Sequence, residues 1–213
     1  MLKQQGPFTP KQVLDPLDEL VMTVLSQHTS DVNTARAFAG LKERLPEWEA
    51  VLRAPSKEVA DAIRSGGLAD QKAPRIQAIL REVERREGGL TLARLEEMGD
   101  GEVEDYLCSL PGVGPKTAAC VLVFSLGRPA FPIDTHVHRV TKRLGWIAPK
   151  ASADAAHAVL KRGVPAEVRY ELHVQLIQHG RTICKAQRPL CTECVLLDVC
   201  AEGPRLLTAG EAR

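Results

Sequence analysis

The sequence predicts an all-α protein, and three observations carry that prediction. Apolar residues recur at helical spacing along most of the chain, no stretch alternates as a half-buried strand does, and the periodic segments are joined by short connections. No internal repeat and no low-complexity block interrupts the pattern.

Residues 1–16 are polar and contain proline, and only partial order is expected there. Residues 18–27 have the spacing of a buried helix, which ends in the polar string Ser26-Gln27-His28-Thr29-Ser30-Asp31. Asp31 or Asn33 can start the next helix, over about 34–44, which Pro46 closes. Residues 47–52 and 57–64 read as two short helices, and Gly66-Gly67-Leu68 as a turn ending in an apolar residue. Residues 72–86 form an amphipathic helix with Ile76, Ile79, Leu80 and Val83 on one face, stopped by Gly88-Gly89. Residues 92–98 predict one more short helix. Two helices, 103–110 and 117–124, then flank a glycine-rich turn. Helices follow over 135–144, over 152–161 with Ser152 as N-cap, and over 167–184. Residues 184–200 are too rich in cysteine for a regular element, and the tail from Ala201 is short and featureless.

A chain of 213 residues with 44% hydrophobic and 26% charged residues has the composition of a soluble globular protein with a real core. The net charge of +1 carries no basic excess, so a nucleic-acid face has to come from local clustering. Residues 135–150 hold Arg139, Lys142, Arg143 and Lys150 and no acid; residues 96–105 hold six acids and no base. The N-terminus lacks the apolar core of a signal peptide, and no run approaches the ~18 apolar residues of a membrane span. A cytoplasmic location without membrane contact is expected. In a reducing compartment six cysteines point to metal rather than disulfides.

Residues 110–134 hold the chemistry. Leu110-Pro111-Gly112-Val113-Gly114 makes a tight turn, because glycine takes φ > 0 without steric cost. Pro115 suits the first turn of the following helix. The free N–H groups at that helix start form an anion site, with a DNA phosphate as the natural occupant. Lys116 stands in the first turn, where the helix dipole and partial burial disfavour its charge and favour a nucleophilic amine. Asp134, 18 residues on, opens DTHVHRV as an N-cap. One helix and a return loop fit between them, so amine and carboxylate can meet, which suits Schiff-base chemistry at a sugar carbon.

Cys184, Cys191, Cys194 and Cys200 are spaced C-x6-C-x2-C-x5-C. Four thiolates so close in sequence can surround one soft metal centre, either a structural zinc or a cubane iron–sulfur cluster; spacing alone leaves both open. Lys185 and Arg188 lie in the loop between the first two thiols, within reach of a phosphate. Cys108, Cys120, His173, His179, Trp48 and Trp146 read as packing or hydrogen-bonded residues, and His136 as either a backbone contact for DNA or a packing residue.

LPGVGPKTA, the DTHVHRV segment and the cysteine spacing together resemble endonuclease III, a DNA glycosylase and AP lyase of the helix-hairpin-helix superfamily. The resemblance runs from about residue 18 to residue 200. It implies a two-domain all-α fold: a six-helix barrel, residues 18–128, and an iron–sulfur domain of residues 1–17 plus 129–213. It implies a [4Fe–4S] cluster on the four cysteines and a nucleoid-associated monomer whose partner is double-stranded DNA with damaged bases or abasic sites. By resemblance Lys116 matches the lysine that attacks C1′, and Asp134 the aspartate that stabilises positive charge on the sugar. Pro111, Gly112, Val113 and Gly114 match the phosphate-holding hairpin. Leu68 resembles the leucine that wedges into the duplex, and the 26–31 string the loop whose glutamine fills the gap left by the flipped base. His28 stands in that glutamine's position with Gln27 one step earlier, and Ala69 stands where many members carry an aromatic residue. The expected activity is removal of oxidised pyrimidines and strand cleavage 3′ to the abasic site by β-elimination. A thymine or uracil mismatch glycosylase of the same superfamily, a non-catalytic DNA-binding module and an iron–sulfur electron-transfer protein are the alternatives.

Overall fold

The computed structural model describes residues 14–212, so most of the polar N-terminal stretch lies outside the described residues. The described residues form eleven α-helices, joined by loops and five 3₁₀ turns, and contain no strand. None of these helices is long and apolar enough to cross a membrane. The chain divides into two compact units, one of residues Gln12–Arg128 and one built on Pro129–Arg213.

The first unit holds α1 (Pro16–Leu25), α2 (Asp31–Arg44), α3 (Trp48–Arg53), α4 (Ser56–Ala62), α5 (Ala69–Glu87), α6 (Asp100–Cys108) and α7 (Pro115–Phe124). The Asp15 carboxylate accepts from Leu17 N at 2.9 Å and starts α1, with Pro16 at the position where a missing N–H costs nothing. Leu17, Leu20, Val21, Val24 and Leu25 are then fully buried, so α1 has no solvent stripe and sits at the centre of the unit. It packs against α7, whose residues 117–123 are all buried, and against α2 and α5.

Lys72 joins these elements. It is 2% exposed, and its Nζ donates to Leu25 O at 2.7 Å and to Gly66 O at 2.8 Å. One ammonium thus ends both α1 and the turn before Leu68. Burial, followed by the charge of Arg75, lowers its pKa. Lys72→Met keeps the stem but strands two carbonyls, so a loss of about 2–4 kcal/mol is expected in urea unfolding. A midpoint matching the wild type would remove Lys72 from this role.

Local chemistry moved several boundaries. The helix expected over 72–86 begins at Ala69 because left-handed Leu68 caps it, and it ends where Gly88 turns left-handed. The helix expected over 57–64 stops at Ala62 and tightens into a 3₁₀ turn, Arg64–Gly66. The helix expected over 92–98 is only a 3₁₀ turn, Ala93–Glu96, because the Glu102 carboxylate takes Gly99 N at 2.8 Å and starts α6 there. Trp48 packs as expected, with Nε1 donating to Asp18 at 2.9 Å and Lys42 Nζ 4.2 Å above its ring.

The second unit holds α8 (Thr135–Arg143), α9 (Ala153–Gly163), α10 (Arg169–Thr182) and α11 (Gly203–Thr208). Phe131, Ile133, Val137, Val140, Leu160 and Leu176 lead its core, and α8 packs along α10. Ser152 caps α9 as read from the sequence, accepting from Ala155 N at 3.2 Å. The tail is not featureless: α11 buries Leu206. Trp146 is 45% exposed, so the packing role read for it does not hold.

Candidate nucleic-acid interface and thiol centre

The hairpin follows α6 directly. Leu110 N bonds Leu107 O at 3.0 Å, and Val113 N bonds Leu110 O at 3.2 Å. Leu110 and Val113 are buried, which leaves Pro111 and Gly112 exposed at the tip. Gly112 has φ +70, the left-handed value expected of the turn. Gly114 does not: its φ is −113, and a Cβ there would meet nothing within 4 Å. A methyl side chain at 114 would therefore meet no atom of the described residues. Gly114 is the N-cap of α7; Pro115 has no N–H, and Thr117 N and Ala118 N bond Gly114 O at 2.9 and 3.0 Å, which leaves the Gly114 and Lys116 N–H groups as the donors the helix does not itself use.

Lys116 is half-buried in the first turn of α7. Sequence reading missed a buried acid on which the Lys116 charge acts. Glu19, on α1, is 9% exposed, and its Oε1 accepts from Thr23 Oγ1 at 3.0 Å. Burial pushes its carboxyl up to about 7, against smaller opposing effects of the Thr23 hydroxyl and the Lys116 charge. The signal was present as one acid inside an apolar run with a threonine four residues on. A folded-state value above the unfolded value of 4.5 makes ionisation costly. The penalty is absent below about 4.5, grows as pH rises, and levels off above 7 at about 3 kcal/mol.

Three non-glycine residues among those described have left-handed backbone: His28 (φ 55), Leu68 (φ 51) and Arg188 (φ 47). All three were singled out as candidate DNA contacts. Each is exposed, Leu68 at 46% despite its apolar side chain. Gln27 is held instead: Arg75 Nη1 donates to its Oε1 at 2.8 Å. The same arginine packs on Gly112, where a Cβ would lie 2.9 Å from Arg75 Cδ. Ala69, the departure from the family pattern, is buried.

In the second unit Asp134 caps α8, accepting from Val137 N at 2.7 Å. His136 packs over Gly180 and accepts from Arg139 Nη2 at 3.1 Å. Two of the four cations of residues 135–150, Arg139 and Arg143, are engaged within the protein. Arg139 donates to Cys184 O at 3.0 Å and Gly180 O at 2.8 Å. Arg143 donates to Lys185 O at 2.7 Å, Ala186 O at 3.1 Å and Cys184 Sγ at 3.3 Å. Both guanidinium groups hold the cysteine-rich loop in place.

All four cysteines of that loop line one cavity, with Val140, Leu144, Ile183, Leu190, Leu197 and Leu206 among its walls. Gly203 N donates to Cys200 Sγ at 3.2 Å, and Cys194 Sγ lies 3.6 Å from His179 Nε2. Burial raises the Cys191 and Cys194 thiols, and the other thiols raise them further. Burial lowers His179. Such thiols ionise when a metal takes the charge. Among the described residues no three His, Cys, Asp or Glu side chains converge as a single ion requires. Four thiols around an apolar-walled cavity, with a guanidinium and an N–H donating to sulfur, fit a thiolate-held metal centre. Lys185 and Arg188 are exposed on the same loop.

A helix–hairpin–helix with a lysine at its second helix start, followed by a four-cysteine loop, defines a class: the helix-hairpin-helix glycosylases of base excision repair. Residues 21–166 match the family described as HhH-GPD superfamily base excision DNA repair protein. Over 199 residues the chain is 38% identical to endonuclease III of Thermotoga maritima, covering 93% of this chain and 88% of that one. A protein of Arabidopsis thaliana named as a DNA glycosylase is 44% identical over 168 residues, 79% of this chain; the chain spans 57% of its length. A solved trapped endonuclease III–DNA covalent intermediate superposes with a TM-score of 0.80 at 32% identity, covering 94% of this chain and 90% of that one. The chain belongs to the endonuclease III family.

Proposed function

We propose that the chain is a bifunctional DNA glycosylase/AP lyase that removes oxidised pyrimidines from duplex DNA and then cuts the strand 3′ to the abasic site. The observation that carries this reading is the coincidence of strain with exposure at His28, Leu68 and Arg188. A non-glycine residue in left-handed backbone costs on the order of 1–3 kcal/mol, which persists where function uses the projection.

Duplex DNA hides the glycosidic carbon, and flipping a nucleotide out costs a few kcal/mol. Leu68 and His28 fill the vacated space; Gln27 is already engaged by Arg75, so His28 takes the part of the gap-filling glutamine. Pro111, Gly112, Val113 and Gly114 hold a phosphate at the start of α7. Neutral Lys116 attacks C1′: the Nζ–C1′ bond forms as the C1′–base bond breaks, and the base leaves with the electron pair. Ring opening gives the Schiff base, the C2′ proton is lost, and the 3′ phosphate departs. Asp134 keeps one carboxylate lone pair on Val137 N and stabilises cationic character at the sugar. Cys184, Cys191, Cys194 and Cys200 would hold a [4Fe–4S] cluster, which supplies structural rigidity to the loop of Lys185 and Arg188. His136, held by Arg139, positions that start of α8. The protein acts as a monomer.

The test is purified protein on duplexes carrying thymine glycol, 5-hydroxycytosine, uracil, a G·T mismatch or an abasic site, with and without borohydride. Cleavage and covalent trapping on thymine glycol and 5-hydroxycytosine are expected. A preference for G·T or uracil would transfer the chain to the mismatch branch. Binding without cleavage of any duplex would make it a DNA-binding module.

A further inference from the structure

Arg75, on α5, touches two elements of the first unit that the proposed function places on DNA. Its Nη1 donates to Gln27 Oε1 at 2.8 Å, and its Cδ and Nε each lie 2.9 Å from where a Cβ on Gly112 would stand. The hairpin tip thus has two reasons for glycine, the left-handed φ of +70 and the arginine laid against it. At the other end, two neighbours in the 26–31 loop are treated in opposite ways. Gln27 is half-buried, its N bonds Val24 O at 3.3 Å, and its amide is held by the guanidinium. His28 is exposed on left-handed backbone, φ 55, which turns the chain away from the course of α1.

We propose that Arg75 is a positioning residue that holds Gln27 back from the duplex and so leaves the vacated space to His28. The inference rests on the reading that this loop fills the gap left by a flipped nucleotide. Arg75 can act as a latch because its stem is lodged against the hairpin tip, so the guanidinium cannot follow Gln27 outward. Once released, Gln27 is one residue from the same gap, and its amide can both donate to and accept from an unpaired base. Arg75 therefore sets which chemistry meets the base opposite the lesion: an imidazole in place of an amide.

The test is a mutant cycle read by equilibrium binding to a duplex carrying a tetrahydrofuran abasic analogue, which requires the gap to be filled and no bond to be cut. In the wild-type background His28→Ala is expected to weaken binding about tenfold. Arg75→Met keeps a stem beside Gly112 and removes the donors, so Gln27 is freed to substitute. In that background His28→Ala should cost less than about threefold. Adding Gln27→Leu to Arg75→Met removes the substitute and should bring the full cost of His28→Ala back. A merely structural arginine would leave the cost of His28→Ala the same in both backgrounds; that result, or a cost that Gln27→Leu does not restore, overturns the proposal. Arg75→Ala, which suits a helix, carries the same cycle alone if the methionine variant does not fold. Failure of the underlying reading looks different: wild type would bind the abasic-analogue duplex no more tightly than an undamaged one.

Discussion

Lys116→Ala is expected to abolish borohydride trapping and to slow strand cleavage at an abasic site by at least about a thousandfold, the scale on which a covalent route is lost. Lys116 is half-buried in the first turn of α7, where alanine is an excellent helix former, so the helix should survive. Removing the cation takes a favourable charge away from Glu19, but Glu19 is governed chiefly by burial, so its pKa rises only further. Unfolding free energy should therefore move by less than about 1 kcal/mol. Lys116→Arg separates charge from nucleophilicity. It should bind abasic duplex as wild type does and trap none of it, because a guanidinium stays protonated. A trapped complex with either variant would take Lys116 out of the mechanism.

If the four cysteines hold the proposed cluster, Cys191→Ser should strip it and unfold the loop around it. Cys191 is 8% exposed and lines the cavity that all four cysteines share. Within residues 184–200 the regular structure is two three-residue 3₁₀ turns, Cys191–Glu193 and Leu197–Val199, too little to hold itself together. A metal held there would contribute folding free energy, so losing a ligand should lower the melting temperature by about 10 °C. Wild-type protein should carry about four irons and matching sulfide per chain, the serine variant close to none. One zinc per chain in the wild type would replace the cluster reading with a structural zinc.

What the sequence made legible was whatever depends on neighbours in the chain. Asp134 and Ser152 are caps as read, because capping acts over three residues. Gly112 is left-handed as a tight turn requires. Long-range duties were illegible. Nothing in the spacing of Lys72 reveals that Leu25 O and Gly66 O will meet its ammonium, 47 and 6 residues away. Arg139 and Arg143 counted toward a basic stretch, whereas their charge is spent on carbonyls more than 40 residues further on. Glu19 was passed over because an acid in an apolar run has no meaning until α7 brings Lys116 beside α1. The site residues themselves came from motif and resemblance, because a chemical role is not a periodicity.

Helix α8 has a further consequence. Asp134 caps one end, and Arg143, at the other, grips Cys184 Sγ and the carbonyls of Lys185 and Ala186. Nine residues of α-helix are a strut of about 13 Å that does not stretch. The thiol loop therefore works as the strut's anchor plate: wherever it is bolted down, the carboxylate at the far tip is held at a fixed remove. Loosening the plate would not touch the carboxylate, yet would leave it aimed at nothing in particular.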